Sequence, residues 1–198
     1  MKRLIWNGVI LSCFLRSATA AEPSAPTDPR ARELMSLLSM RYLPGESGYL
    51  HNLDASQVMV TTAGRILKAH DSIYYMLTHE APINYLHWLA CDDVHILLEG
   101  GPVDYFIFHP DGSVEKKTLG RDLKAGQVYV VSIPANCWKA LKLHEGVGYA
   151  LMANVLTPQW TEDSVKIGAG KEFLDRYIGK APWATEAFLR EMIGPNMK

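Results

Sequence analysis

The sequence predicts an all-β domain, an antiparallel sandwich or barrel, with helices before and after it. Between Tyr49 and Ile167, about nine short segments are apolar or alternate between apolar and polar residues. Turn-forming sequences such as "HPDGS", "KAGQ" and "HEGVG" separate these segments, as expected for hairpins. No helical pattern interrupts them, which is typical of sandwiches and barrels rather than of alternating α/β folds.

Helical patterns flank this region on both sides. The first covers residues 28–41, with Asp28 as the N-cap and Pro29 at the first position, and "PGESGYL" ends it. The last thirty residues contain two more helical segments, "GKEFLDRYIG" and "TEAFLREMIG". The sequence shows no internal repeat, so we expect a single domain over residues 31–198.

The N-terminus has the pattern of a secretory signal peptide. A basic "MKR", a short apolar stretch and the small residues "ATA" predict cleavage near Ala20–Ala21 and a secreted, secretory-pathway or periplasmic protein. The apolar stretch is too short to span a membrane, and a Pro-rich linker at residues 21–30 follows it. Cleavage would leave Cys91 and Cys137, which form either one disulfide bond or two buried thiols.

The composition limits the classes of partner. Hydrophobic residues make up 48% of the chain, charged residues 21%, and the net charge is −1. Charges of both signs are interspersed, so the chain offers no basic surface for a phosphate backbone. We therefore expect a small-molecule substrate, no nucleic acid, and no membrane contact in the mature form.

The segment "NYLHWLACDDVHILLEGG", residues 84–101, carries most of the polar chemistry. Side chains alternate across a strand, so His87, Cys91, Asp93 and His95 would share one face if the strand stayed regular. A carboxylate beside an imidazole in an apolar cavity can act as a general base or acid. The alternative without a catalytic role is that His87 and Asp93 form a buried structural pair.

Several segments together resemble a known family. "DSIYYMLT", "NYLHWLACDDVHILLEGG", "LGRDLKAGQ", "VVSIPANCWKAL" and "VLTPQWTEDSV" are similar in order and spacing to the sugar-epimerase-like branch of the cupin superfamily, the cupin_5 family. The resemblance covers roughly residues 40–193. It implies a double-stranded β-helix (jelly-roll or cupin barrel), a homodimer, and one small-molecule pocket inside the barrel.

The resemblance also shows where this chain departs from metal-binding cupins. His87 matches one ligand histidine, and Asp93 stands where the ligand glutamate would be. Leu89 stands at the second histidine position, and Trp138 and Lys139 replace the last ligand. In this frame Trp138 would face the cavity and Lys139 would point outward.

These departures favour an enzyme that needs no cofactor. We expect an isomerase, epimerase or cyclase of secondary metabolism that acts on a small hydrophobic or ring-containing substrate by acid–base catalysis. The predicted catalytic residues are His87, Asp93 and Tyr75. The predicted substrate-binding residues are Trp138, Tyr85, Trp88, His95 and Cys91. Two alternatives stay open: a metal-dependent oxygenase or lyase with iron or zinc held by His87, Asp93 and His95, and a non-catalytic small-ligand-binding protein.

Overall fold

The structure, a computed structural model, describes residues 22–198. The predicted signal peptide lies outside the described residues, and its cleavage stays a prediction. The helices are α1 (Pro29–Leu37), α2 (Lys171–Tyr177) and α3 (Glu186–Ile193). The strands are β1 (Arg41–Tyr42), β2 (Tyr49–Asn52), β3 (Met59–Thr62), β4 (Arg65–Lys68), β5 (Asp71–Thr78), β6 (Ile83–Leu89), β7 (Asp92–Gly100), β8 (Val103–Phe108), β9 (Val114–Leu119), β10 (Val130–Ile133), β11 (Trp138–Leu143), β12 (Tyr149–Thr157) and β13 (Val165–Ile167). Short 3-10 helices cover Leu123–Ala125, Glu162–Ser164 and Gly194–Asn196.

Two antiparallel sheets face each other and form the barrel. The first has six strands in the order β1-β2-β5-β12-β7-β10, and the second has five in the order β13-β6-β11-β8-β9. Strands β3 and β4 form a separate hairpin. The predicted jelly roll with flanking helices is confirmed, and its β-rich region begins at Tyr49 and ends at Ile167 as expected, apart from the two-residue strand β1.

The space between the sheets is filled with apolar side chains over most of its length. Tyr105, Ile107, Leu119 and Leu141 are fully buried there. The interior of the barrel therefore supplies the main core, and one end of it remains open as a cavity.

The helices cover the outer faces of the two sheets. Helices α2 and α3 pack against the five-stranded sheet, where Phe108, Phe173 and Leu189 belong to one buried cluster. Helix α1 lies on the six-stranded sheet through Ala31 and Leu34. Because helices α2 and α3 need an apolar sheet surface, the outward positions of the five-stranded sheet are apolar and aromatic.

The first helix is shorter than the pattern predicted. Asp28 caps it, and its carboxylate accepts from the backbone N–H groups of Arg30 and Ala31, as expected. The helix ends at Leu37 rather than at residue 41, and Ser39 has a positive φ of 50°. Residues 41 and 42 pair with β2 instead, because hydrogen bonding to a neighbouring strand outweighs a weak local helical preference.

Within residues 22–198, none of the helices is long and apolar enough to cross a membrane.

Candidate active site

A cavity of about 370 Å³ opens at one end of the barrel. Its walls are apolar side chains from both sheets, among them Leu50, Ile73, Leu89 and Leu156. Polar side chains line it as well, among them Glu46, His87, Asp93, His95, Lys139 and Asn154. A cavity with apolar walls and a few converging polar groups is the usual form of a small-molecule site.

A bulge in β6 decides which of its side chains reach this cavity. Lys139 of β11 pairs with His87, whereas Leu141 pairs with Asn84, so β6 carries one extra residue between the two pairs. Asn84 and His87 therefore both line the cavity. Tyr85 lies against Gly194 on the helix side, although simple alternation places it on the same face as His87.

His87 offers an unprotonated ring nitrogen near the cavity. Its Nδ1 lies 2.9 Å from the backbone oxygen of Tyr85; a carbonyl oxygen only accepts, so Nδ1 carries the proton. Burial lowers the pKa of His87 to about 4, with the Lys139 charge acting in the same direction. The ring is therefore neutral near pH 7, and its Nε2 keeps a free lone pair.

Glu46 faces this lone pair from the loop between β1 and β2. Its Oε2 lies 3.6 Å from Nε2 of His87, and its negative charge opposes the effect of burial on the His87 pKa. The amide of Asn84 donates to the Glu46 backbone oxygen at 3.2 Å. The carboxylate is thus held where it would stabilise a protonated His87. Glu46 is a site residue that was not predicted, although it lies in the turn segment "PGESGYL".

Asp93 lies at the centre of a buried network. Its carboxylate contacts the Lys139 ammonium group and accepts from the Asn154 amide. Nε2 of His95 lies 3.0 Å from Asp93 Oδ2, and the Tyr105 hydroxyl lies 2.9 Å from His95 Nδ1. Burial lowers the pKa of His95 to about 3. In one tautomer a neutral His95 accepts from Tyr105 and donates to Asp93; in the other, Nδ1 donates to the Tyr105 oxygen and Nε2 accepts from the Asn154 amide nitrogen 2.7 Å away. Both ring nitrogens are engaged in either case.

The expected orientation of β11 is wrong. Lys139 is 3% exposed and lines the cavity, whereas Trp138 lies outside the barrel, with its ring 5.7 Å from that of Phe173 in α2. The physical reason is that α2 covers the outer face and offers the large ring an apolar partner. The inward position instead places the Lys139 ammonium beside a carboxylate. Lys139 was therefore not predicted as part of the site. Asn154 of β12 and Tyr105 of β8 were not predicted either.

Tyr75 does line the cavity, but its hydroxyl proton is engaged. The Tyr75 Oη donates to the backbone oxygen of Ser47 at 2.6 Å. Burial raises the pKa of Tyr75 well above its usual value, with the Glu46 charge in the same direction. Tyr75 therefore holds the loop that carries Glu46, and its catalytic role stays a prediction.

Three further residues of the predicted substrate site lie away from the cavity. Tyr85 faces the C-terminal segment because of the bulge. The Trp88 indole donates to the backbone oxygen of Asn136 at 2.9 Å and lies under Lys166, on the outer face. Cys91 packs against Leu89 and Leu156, and burial raises its pKa to about 11. None of the three lines the described cavity wall.

Both cysteines within residues 22–198 are free and buried. Of the two outcomes that the sequence left open, the structure therefore has the buried thiols. Cys137 lies with its Sγ 3.4 Å from Nδ1 of His109, well outside the polar network of the cavity.

The donor set does not fit a metal centre made of His87, Asp93 and His95. The Asp93 oxygens are taken by Lys139, His95 and Asn154, and an ammonium group already neutralises the carboxylate. A neutral His95 with both ring nitrogens engaged has no lone pair left for an ion. In the described part of the chain, no three His, Cys, Asp or Glu side chains are grouped to hold a metal.

Comparisons with known proteins agree with the fold. The family model Cupin_5, described as cupin superfamily (DUF985), matches residues 32–167. The Saccharomyces cerevisiae protein YML079W, named as uncharacterized, is 31% identical over 120 residues, which cover 59% of each chain. The match thus spans less than two thirds of that relative.

Two solved structures resemble the whole barrel. A hypothetical protein from Leishmania major has a TM-score of 0.70 and 18% identity, covering 82% of this chain and 97% of its own. Protein SO0799 from Shewanella oneidensis has a TM-score of 0.67 and 19% identity, covering 85% and 97%. At these identities the likeness concerns the fold alone.

Proposed function

The chain belongs to the Cupin_5 family of the cupin superfamily, and we propose that it is an enzyme that transfers a proton at the carbon next to a carbonyl group of a small substrate. The substrate would lie in the barrel cavity. Isomerases, epimerases and many cyclases begin with such a transfer, so this proposal keeps the reaction class that the sequence analysis predicted.

The observation that carries the proposal is the neutral His87 with its free Nε2. Its pKa of about 4 leaves the ring without a proton on this nitrogen at pH 7. A neutral imidazole on a cavity wall can accept a proton from carbon. Glu46, 3.6 Å from the same nitrogen, would then stabilise the positive charge that forms on the ring.

A second group must stabilise the negative charge that is left on the substrate. Lys139 pairs with His87 across two neighbouring strands, and both side chains line the cavity. Directly paired residues on one face of a sheet lie about 5 Å apart at Cβ. A positive charge placed this close to a developing enolate would lower the energy of the transition state.

The walls indicate what kind of substrate would fit. Leu50, Ile73, Leu89 and Leu156 offer apolar contacts, and His87 and Lys139 offer polar groups from neighbouring strands. We therefore propose a compound with one carbonyl end and a compact apolar or ring-shaped body. The donor set around Asp93 does not fit a metal, so the proposed chemistry uses the side chains alone.

Proton exchange from solvent tests this proposal without knowledge of the natural substrate. The protein would be incubated in D₂O with cyclohexanone or phenylacetaldehyde, and deuterium next to the carbonyl would be followed by NMR. We expect His87→Gln to slow the exchange by about 10²–10⁴-fold. The matched control is His79→Gln, because His79 is exposed and lies outside the cavity. Equal rates for the parent and His87→Gln would overturn the proposal, and tight binding without exchange would favour a binding protein.

We also propose that two copies associate through the outer face of the six-stranded sheet. Ile96, Leu98 and Val130 point outward there and are 37%, 41% and 47% exposed. Val130 pairs with Ile96, and β10 is the edge strand of this sheet. Exposed apolar residues at the edge of a sheet are commonly covered by another chain. Sedimentation should give twice the mass of one chain, and Ile96→Glu should reduce it to the mass of one.

A further inference from the structure

Lys139 is an unusual group to find inside a barrel. Its side chain is 4% exposed, whereas lysine is almost never fully buried. Among the described residues that line the cavity, it carries the one primary amine. Removing an ammonium group from water is unfavourable unless other groups compensate its charge, so its place on the cavity wall needs an explanation beyond packing.

The surroundings of Lys139 suit a nucleophilic amine. Burial lowers the pKa of Lys139 to about 8, although Glu46 raises it in part. Burial thus favours the neutral amine more than in an exposed lysine, while the Asp93 carboxylate in contact with the nitrogen favours the ammonium form and can accept its proton. Desolvated lysines in apolar pockets are the ones that attack carbonyl carbons.

Asp93 supplies the acid–base partner that this chemistry needs. Its carboxylate is in direct contact with the Lys139 nitrogen, so it can take a proton from the nitrogen and deliver it elsewhere. The Asn154 amide and His95 hold the carboxylate in place. The Asp93 carboxylate is therefore held in position beside the Lys139 nitrogen by these two side chains.

We propose that Lys139 forms an imine with the carbonyl carbon of the substrate. The nitrogen attacks the carbon and loses two of its three protons. Both protons pass through the Asp93 carboxylate to the carbonyl oxygen, which leaves as water. The product is a protonated imine, and the total charge of the site is unchanged.

This inference deepens the proposed function and rests on it for the substrate class. A protonated imine withdraws electrons from the neighbouring carbon more strongly than a carbonyl group does. The same carbon would lose its proton to His87, which pairs with Lys139 across the sheet. The covalent bond would thus supply the positive charge that the proton transfer requires.

Reductive trapping with benzaldehyde tests the imine directly. Benzaldehyde has no hydrogen on the carbon next to its carbonyl group, so its capture does not depend on proton transfer to His87. The full chain would be incubated with benzaldehyde and sodium cyanoborohydride at pH 8, and the modified lysines identified by peptide mass spectrometry. We expect Lys139 to react about ten-fold faster than Lys142, which lies on the same strand but is partly exposed and paired with Glu191.

Two variants make the result specific. Lys139→Arg keeps a cation beside Asp93 and should fold, but it should lose the fast-reacting site; circular dichroism would check the fold. Lys142→Arg is the matched control and should keep that site. Modification of Lys139 at or below the rate of Lys142 in the folded protein would overturn the imine and leave Lys139 as a counter-ion of Asp93.

The two proposals can fail separately. Deuterium exchange that persists in Lys139→Arg would uphold the proton transfer and overturn the imine. Fast trapping at Lys139 without deuterium exchange in any ketone or aldehyde would support the imine and overturn the proposed proton transfer.

Discussion

Strand β11 separates two buried regions of opposite chemistry. On its outer side, Trp138 and Ala140 join the aromatic cluster under α2 and α3, which includes Phe108 and Phe173. On its inner side, Lys139 joins a network of ionisable and amide side chains. Both regions consist mostly of buried residues. Burial alone therefore does not distinguish a packing core from a functional site.

The two regions differ in what burial does to the free energy of folding. Each large apolar side chain in the outer cluster contributes roughly 1.5–3 kcal/mol when it leaves water. A buried ion pair contributes little, and replacing one with apolar residues is often neutral or stabilising. The inner network therefore costs stability that the outer cluster helps to offset. We expect the following changes to separate the two regions, from the largest effect to the smallest.

Acid should destabilise the protein through the inner network. The unfolded histidines bind a proton near pH 6.5, whereas burial lowers the pKa of His87 to about 4 and that of His95 to about 3 in the folded protein. Below pH 6.5 the unfolded state thus binds more protons. Stability is fully present above this pH and falls as the pH is lowered towards 4, by on the order of 1.4 kcal/mol per pH unit for each histidine.

Urea unfolding at pH 7.5, 5.5 and 4.5 would measure this slope. His87→Gln should make it shallower, and His79→Gln, at an exposed position, should leave it as in the parent. An identical slope in all three proteins would show that His87 does not cause the acid sensitivity.

Breaking the buried ion pair comes next in size. Asp93→Asn should reduce the free energy of unfolding by about 3–5 kcal/mol, because it leaves the Lys139 ammonium without its counter-ion. Adding Lys139→Met should recover most of that loss, since the unpaired charge is then gone. Chemical unfolding of both single variants and the double variant gives the coupling. Purely additive losses would mean that the two groups do not form an energetic pair.

A cavity in the outer cluster should weaken the fold without touching the chemistry. Leu189 of α3 is fully buried in that cluster, so Leu189→Ala should cost about 2–5 kcal/mol. The rate of benzaldehyde capture by the folded protein should stay the same. A parallel loss of stability and capture would show that the two regions are coupled across β11.

The smallest effect concerns the link between the core and the Glu46 loop. Tyr75→Phe removes the hydrogen bond to the Ser47 backbone oxygen and should cost about 1 kcal/mol. The measurement is the midpoint of thermal unfolding. A complete loss of deuterium exchange at unchanged stability would instead support the catalytic role that the sequence predicts for Tyr75.

Much of the fold could be predicted from local patterns. Strand β5 coincides with the segment "DSIYYMLT", and the two C-terminal helices lie where their apolar spacing indicated. The alternation in β7 also holds, because Asp93 and His95 both point into the barrel. The short strands β1, β2, β4 and β13 were not predicted, since two to four residues carry too little pattern.

The membership of the site could be predicted only in part. His87, Asp93, His95 and Tyr75 line the cavity, but Tyr85, Trp88, Cys91 and Trp138 do not. One extra residue in β6 turns Tyr85 away from the cavity, and that bulge exists only in relation to the register of β11. Glu46 and Asn154 come from segments far away in the chain, which only the folded barrel brings to His87 and Asp93.

The sequence by itself determined the β-rich core, the flanking helices and a pair of polar positions on β7, because periods of 2 and 3.6 residues are local properties of a chain. The tertiary structure alone decided that Lys139 faces inward and Trp138 outward. That choice depends on which face of β11 the helix α2 covers, and on a carboxylate 46 residues earlier in the chain (from Lys139 to Asp93) that meets the ammonium group inside the barrel. Both are contacts between distant segments, so no pattern within "PANCWKAL" contains them.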